Sequence, residues 1–254
     1  MSRLDRTVGL LRSIAIYHGI PFRQRRLREL YRHFVTAGDL VFDVGAHAGN
    51  RTRAFAALGC RVVALEPQPD FARLLRLLFA RSPRVHVLET AAAERDGRID
   101  LAVSERTPTV TTLDDGWREL RGREAGFAGV EWNRAIEIES ATLDTLIARF
   151  GVPAFVKIDV EGSELRVLCG LTQALPALSF EYLPTALPDV RACLARLLEL
   201  APYRFNLCVG ESHRLISTRW LAAEEVSEVL ATPSTQCRAG DVYARLETRL
   251  DRIP

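Results

Sequence analysis

The chain has 254 residues, 48% of them hydrophobic and 26% charged. That is enough apolar side chain for one α/β domain with a full core, carrying an insertion or a terminal extension. A formal net charge of +2 excludes a strong overall field for nucleic acid. Cysteines 60, 169, 193, 208 and 237 are widely spaced and include no Cys-x-x-Cys pair, which argues against a thiolate metal centre and for a reduced, cytoplasmic setting.

Residues 1–38 include eight arginines. The apolar stretch 8–20 is interrupted by Arg12, Tyr17 and His18, and no run of 18 apolar residues occurs, so the expectation is a soluble chain without an export signal. Leu27, Leu30, Tyr31 and Phe34 recur at helical spacing and predict an amphipathic helix over 22–36. Its apolar face would cover a core, and its basic face is free for solvent or for peripheral contact with a membrane. The following residues alternate strand and helix: strand 40–44, helix 50–58 with Asn50 as N-cap, strand 61–66, helix 70–80, strand 84–89. Segments 97–103 and 134–140 alternate apolar and polar residues, as antiparallel or edge strands do. Between them, 104–133 is polar and carries Trp117, Phe127 and Trp132, a length that marks a functional loop or insertion. Helix 142–150, strand 153–159, helix 163–172, strand 177–182 and helix 188–200 follow. Strands 203–209 and 241–247 come next, with a loop or helix between them at 218–231. Such alternation implies a mostly parallel, doubly wound sheet with helices on both faces. Two units are expected, an N-terminal helical extension over 1–38 and the α/β domain over 39–254.

The strand Leu40–Val44 runs into the turn Gly45-Ala46-His47-Ala48-Gly49, and the next strand ends in Glu66-Pro67. In an open α/β sheet this turn lies at the carboxyl edge, where a nucleoside rests against backbone. Glu66 follows Gly45 at close to the spacing that places a carboxylate on ribose hydroxyls. His47 occupies the position where a dinucleotide turn needs its second glycine, and no lysine lies near the turn, so neither the dinucleotide nor the Walker pattern is met. Asp43 beside the turn repels phosphate and favours a cation. A phosphate-free nucleoside carrying a sulfonium and an ammonium, S-adenosylmethionine, fits this set. Asp43, Gly45, Ala46, His47, Gly49, Asn50, Glu66 and Pro67 are therefore its candidate contacts.

A second cluster lies at 155–162, Phe-Val-Lys-Ile-Asp-Val-Glu-Gly. Alternation puts Lys157 and Asp159 on one face of the strand, with Asp159 at the same sheet edge as Gly45 and Glu66. Lys157 is the one lysine among 34 basic residues. A chain that writes arginine nearly everywhere keeps an ammonium here, where a compact point charge differs from a fork. Three ionisable groups within five residues at a ligand edge point to chemistry; the bland alternative is a structural Lys157–Asp159 pair with Glu161 at a helix start. Asp159 is the first candidate for a base or acceptor-orienting acid, Glu161 the second, and Lys157 the group that keeps Asp159 ionised. Glu181 and Tyr182, at the next strand end, are candidate acceptor contacts. Asp159, Glu161 and Glu181 also offer the hard oxygens that suit Mg²⁺. His47 is read as a packed residue rather than a base.

Asp43-Val-Gly-Ala-His-Ala-Gly49, Glu66-Pro67, Thr142-Leu-Asp144 and Lys157-Ile-Asp-Val-Glu-Gly162 occur in this order. Over roughly 38–185 the chain resembles the FkbM family of S-adenosylmethionine-dependent methyltransferases. The resemblance implies a seven-stranded class I fold and O-methylation of a small molecule or glycan, such as a sugar, glycolipid or polyketide hydroxyl. It places Asp43, Gly45 and Gly49 at the methionine end, Glu66 at the ribose, Ala91 and Ala92 beside adenine, and Asp159 beside the reaction centre. Two rivals are a nucleic-acid methyltransferase and a non-catalytic S-adenosylmethionine-binding protein. No nucleic-acid partner is expected, because the fourth-strand end reads Asp159-Val-Glu-Gly rather than an Asn/Asp-Pro-Pro-Tyr/Phe motif. A scaffold would not need Lys157, Asp159 and Glu161.

Overall fold

The computed structural model describes residues 23–103, 134–232, 235 and 238–249. Trp117, Phe127, Trp132 and the rest of the 104–133 insertion lie outside these residues, as do Cys237 and residues 1–22 of the arginine-rich start. Ten strands are described: β1 (Leu40–Val44), β2 (Arg61–Leu65), β3 (Val85–Leu88), β4 (Ala91–Ala92), β5 (Gly97–Val103), β6 (Arg134–Ala141), β7 (Phe155–Ile158), β8 (Ala177–Tyr182), β9 (Tyr203–Val209) and β10 (Gly240–Leu246). The helices are α1 (Arg23–Tyr31), α2 (Asn50–Ala57), α3 (Pro69–Leu78), α4 (Leu143–Phe150), α5 (Glu164–Cys169), α6 (Leu187–Leu200) and α7 (Ala223–Leu230).

Seven strands form one sheet in the order β3-β2-β1-β7-β8-β10-β9. Pairings are parallel from β3 to β8, and β10 runs antiparallel to both neighbours. The order reverses between β1 and β7, so their carboxyl ends bound the crevice in which ligands of open α/β sheets sit. This is the doubly wound, mostly parallel class I sheet expected from the alternation and the resemblance. Its strands are short, apolar runs because both faces are covered. Phe42, Val44, Val156, Ile158, Leu178 and Phe180 join a core with α4, α5, α6 and α7. Val41, Val62, Phe155 and Tyr243 face a second core built with α1 and α2. Helix α1 thus shares a core with the sheet: Tyr31 is fully buried, with its ring centroid 4.1 Å from that of Phe55.

The segments 97–103 and 134–140 pair antiparallel, as their alternation predicts. They do so outside the main sheet, in a three-stranded sheet of order β4-β6-β5. There Ala91 and Ala92 pair in parallel with Ser140 and Ala141. Two local expectations change. The predicted 22–36 helix ends at Tyr31. Asn50 is the first residue of α2, not its N-cap; Gly49 is the cap, in left-handed backbone at φ +77°. A Cβ on Gly49 would lie 2.7 Å from Leu75 Cδ2 and 2.9 Å from Phe79 Cε2, so glycine serves both the backbone angle and the close approach of α3. At α4, by contrast, Thr142 is a true N-cap, its side chain accepting from Thr145 N.

Candidate active site

A cleft with about 1090 Å³ of empty space opens at the carboxyl edge of the sheet. Its lining includes Asp43, Gly45, Ala46, His47, Asn50, Glu66 and Pro67, with Ala91 and Ala92. A second, charged group in the same lining is Asp159, Glu161, Glu181, Arg51 and Glu211. Among the predicted site residues, Gly49, Lys157 and Tyr182 do not line it. Gly49 caps α2 behind the turn. The ring of Tyr182 is buried in the large core, and its neighbour Glu181 takes the cleft side because strand side chains alternate.

The turn after β1 is held by backbone. The N–H groups of Gly45 and Ala46 both donate to Leu65 O. A Cβ on Gly45, whose φ is +78°, would fall 1.8 Å from Asp159 O. This glycine is required because the chains leaving β1 and β7 pass in contact, and that contact brings the two groups of lining residues together. His47 adopts φ +46° and Glu161 φ +53°. Such angles are uncommon for side chains with a Cβ, and they concentrate at functional turns.

Glu66 is buried, accepting His47 N at 2.7 Å on one oxygen and Gln68 N at 2.9 Å on the other. Burial pushes its carboxyl up to about 7, against the pull of the two N–H bonds. Each oxygen keeps a further lone pair for a hydroxyl donor. His47 packs on Phe71 with ring centroids 4.0 Å apart, and burial lowers its pKa to about 4. It is a neutral, packed ring at neutral pH. Asp43 is buried and accepts from Thr52 Oγ1 at 2.5 Å. Asn50 is 4% exposed, and its Nδ2 has no hydrogen-bond partner among the described residues. A buried carboxylate for a ribose and an orphaned amide beside the glycine turn fit S-adenosylmethionine.

Lys157 is fully buried on β7. Its Nζ lies 2.7 Å from Asp241 Oδ1, 3.5 Å from Asp159 Oδ2 and 3.1 Å from Ile158 O. Arg51 Nη2 stands 3.7 Å from both Asp159 Oδ2 and Asp241 Oδ2. Two cations and two carboxylates thus close a square, of which Asp159 and Arg51 also line the cleft. Burial opposes the charge on Lys157, but Asp159 and Asp241 outweigh it and hold the ammonium above the ordinary lysine value. Burial likewise opposes ionisation of Asp241, and Lys157 and Arg51 overcome it. Lys157 is buried behind Asp159, where its ammonium touches that carboxylate and not the cleft. Burial, then the neighbouring Asp159, Glu161 and Glu164, raises the Glu181 carboxyl well above its usual range. Asp159, Glu161 and Glu181 each offer a carboxylate oxygen within 4.8 Å of the others, which is compact enough for a hard cation.

Sequence reasoning misses Arg51, Asp241 and Glu211. Arg51 sits beside a predicted contact in the first turn of α2. Asp241 is an acid near the start of a buried strand, a costly position unless paired. Glu211 carries no signal.

The chain matches the Methyltransferase FkbM domain over residues 43–232. It belongs to this family. It is an S-adenosylmethionine-dependent methyltransferase. It is 25% identical over 172 residues to the 2-O-methyltransferase NoeI of Sinorhizobium fredii (strain NBRC 101917 / NGR234), a match covering 64% of this chain and 71% of the relative. A shorter stretch of 49 residues is 45% identical to ribosomal RNA small subunit methyltransferase A of Synechococcus sp. (strain JA-2-3B'a(2-13)), covering 19% of this chain and 17% of that protein. Among solved structures, the precorrin-6y C5,15-methyltransferase of Geobacter metallireducens GS-15 superposes with a TM-score of 0.47 at 10% identity, covering 87% of this chain and 86% of the other.

Proposed function

We propose that this enzyme is an O-methyltransferase acting on a hydroxyl of a sugar or other small polyhydroxylated acceptor. The observation that carries the reading is Asp159, a cleft carboxylate paired with Lys157 and Arg51, on a residue whose backbone carbonyl abuts Gly45 of the cofactor turn. When bound, S-adenosylmethionine supplies an electrophilic methyl group; Glu66, Asn50 and the Gly45–Gly49 turn would hold it. Asp159 then accepts the proton of the acceptor hydroxyl as the oxygen attacks, a role typically worth about 10²–10⁴ in rate. Lys157 and Arg51 restrict where that carboxylate can point, and fixed alignment contributes on the order of 7–11 kcal/mol in favourable systems.

Charge supports a non-nucleic-acid acceptor. The described lining contains the carboxyl groups of Asp43, Glu66, Asp159, Glu161, Glu181 and Glu211, and its cationic side chain is Arg51. A lining with a single arginine and no lysine among its described residues is short of the groups through which proteins bind a phosphate backbone. Kinship with a protein named a 2-O-methyltransferase supports oxygen as the acceptor atom.

The test is a methyl-donor assay against sugars, glycolipids, polyketides and a structured RNA, read by mass spectrometry. Methylation of a hydroxylated small molecule is expected; transfer to RNA alone would overturn the reading. A parallel arm with EDTA, then added Mg²⁺, examines the Asp159–Glu161–Glu181 group. Activity that is lost and then restored would assign the metal there, and indifference to chelator would remove it from the mechanism. Vesicle co-sedimentation tests the proposed peripheral membrane contact of the basic N-terminus, and absence of binding would reject it.

A further inference from the structure

Helix α1 precedes the family-matched span, which begins at residue 43, yet two of its side chains reach cleft-lining residues. Gln24 Nε2 donates to Asn50 O at 3.0 Å and also to Asn50 Oδ1. Arg23, 4% exposed, donates through Nη2 to Glu211 Oε2 at 2.5 Å, bridging 188 positions of sequence. His213 Nε2 lies 3.2 Å from the same Glu211 oxygen, in a residue held at φ +51°. Asn50 and Glu211 both line the cleft, Asn50 among the candidate cofactor contacts and Glu211 in the charged group. One helix thus holds two lining residues that lie 161 positions apart in sequence.

We propose that α1 is a wall of the catalytic cleft in which Gln24 is the positioning residue for the cofactor end and Arg23 the positioning residue for the acceptor end. Gln24 engages both the backbone carbonyl and the side-chain oxygen of Asn50, which fixes the first residue of α2 and sets which way its amide faces. With Oδ1 taken, Nδ2 is the group left to answer a cofactor acceptor atom. Arg23, together with His213, fixes a carboxylate whose side chain is 58% exposed. A held carboxylate accepts hydroxyl hydrogens in one geometry, which is what selection among the hydroxyls of a polyol requires. The acceptor half of this inference rests on the function proposed above; the cofactor half does not.

The experiment uses the full chain with Gln24→Met and Arg23→Met, each an unbranched side chain without the donor. Titration calorimetry with S-adenosylhomocysteine reads the cofactor end. Gln24→Met is expected to weaken that ligand about tenfold, and Arg23→Met by less than twofold. With whichever hydroxyl acceptor the methyl-donor panel returns, Arg23→Met should raise acceptor KM about tenfold with kcat within twofold, Arg23→Lys should recover part of it, and Gln24→Met should leave acceptor KM within twofold. A purely structural α1 would weaken both ends together in both variants, and that pattern would overturn the proposal, as would unchanged S-adenosylhomocysteine affinity in Gln24→Met. If no acceptor in the panel is methylated, the functional reading fails while the two calorimetric titrations still decide the cofactor half. Urea unfolding of each variant identifies one that has lost its fold; in that case Gln24→Glu and Arg23→Gln, which keep polar side chains at the same positions, replace them in the same comparison.

Discussion

The two ends of the cleft are built in different ways. The cofactor end comes from one continuous stretch, Asp43 to Pro67, plus the Ala91–Ala92 strand. The charged group proposed to face the acceptor takes Arg51 from that stretch and adds residues 159, 161, 181 and 211, with 241 behind them. The first is a local device: a glycine turn, a helix start and a carboxylate, held mainly by backbone hydrogen bonds. The second is a non-local device held by charge, in which each ionised group relies on partners brought in by other strands. A local device tolerates loss of one member as a loss of affinity. A buried charge square does not, because removing one member strands another without compensation.

Variants can break or sharpen that contrast. The largest effect is expected at Asp159. Asp159→Asn should lower turnover by about 10²–10⁴ while S-adenosylmethionine affinity by calorimetry stays within threefold; near-normal turnover would remove this carboxylate from the chemistry. Next comes the square itself. Asp241→Asn, which leaves Lys157 buried with its nearest carboxylate gone, should cost about 3–5 kcal/mol in urea unfolding. A loss below about 1 kcal/mol would place the pair among weakly coupled surface bridges and dissolve the contrast. A smaller effect is expected at Glu66. Glu66→Ala should weaken S-adenosylhomocysteine by about 1.5–3 kcal/mol and spare folding; a fall in turnover as deep as that of Asp159→Asn would erase the division between the two ends.

The smallest effect concerns pH. Burial sets the Glu66 carboxyl at about 7, above the ordinary glutamate value. The folded apo protein therefore holds this proton more tightly than the unfolded chain does. The stability it contributes is full below the ordinary value and is lost as pH rises through about 7. Ribose hydroxyls donate best to the ionised carboxylate, so affinity for S-adenosylhomocysteine should tighten from pH 6 to pH 8 with proton release on binding. Glu66→Gln should flatten that slope, and an equally steep slope in the variant would place its origin elsewhere.

The same division governs how much of the site is legible in the sequence. Gly45, Glu66 and the strand–helix alternation lie within a few tens of residues of one another, and spacing alone carries their meaning. Lys157 stands out as the one lysine, and alternation gives it the face of Asp159, but its nearest partner is Asp241, 84 positions later. Pairing across a sheet order of β7-β8-β10 is not encoded in any local period. Asn50 reads as a cap because a polar residue before a helix usually serves that way; the left-handed φ of Gly49 moves the cap one residue back. The three-stranded side sheet is visible as alternation in 97–103 and 134–140, though not as a separate sheet, because register with Ala91–Ala92 depends on where the chain returns.

The reversed strand β10 enters between β8 and β9 and brings Asp241 to the back of Lys157. On the ribosome, β7 is made long before β10, so a nascent chain stopping short of residue 240 has Asp159 but no Asp241 to meet Lys157. The four-membered charge square is therefore complete only after residue 241 has been added.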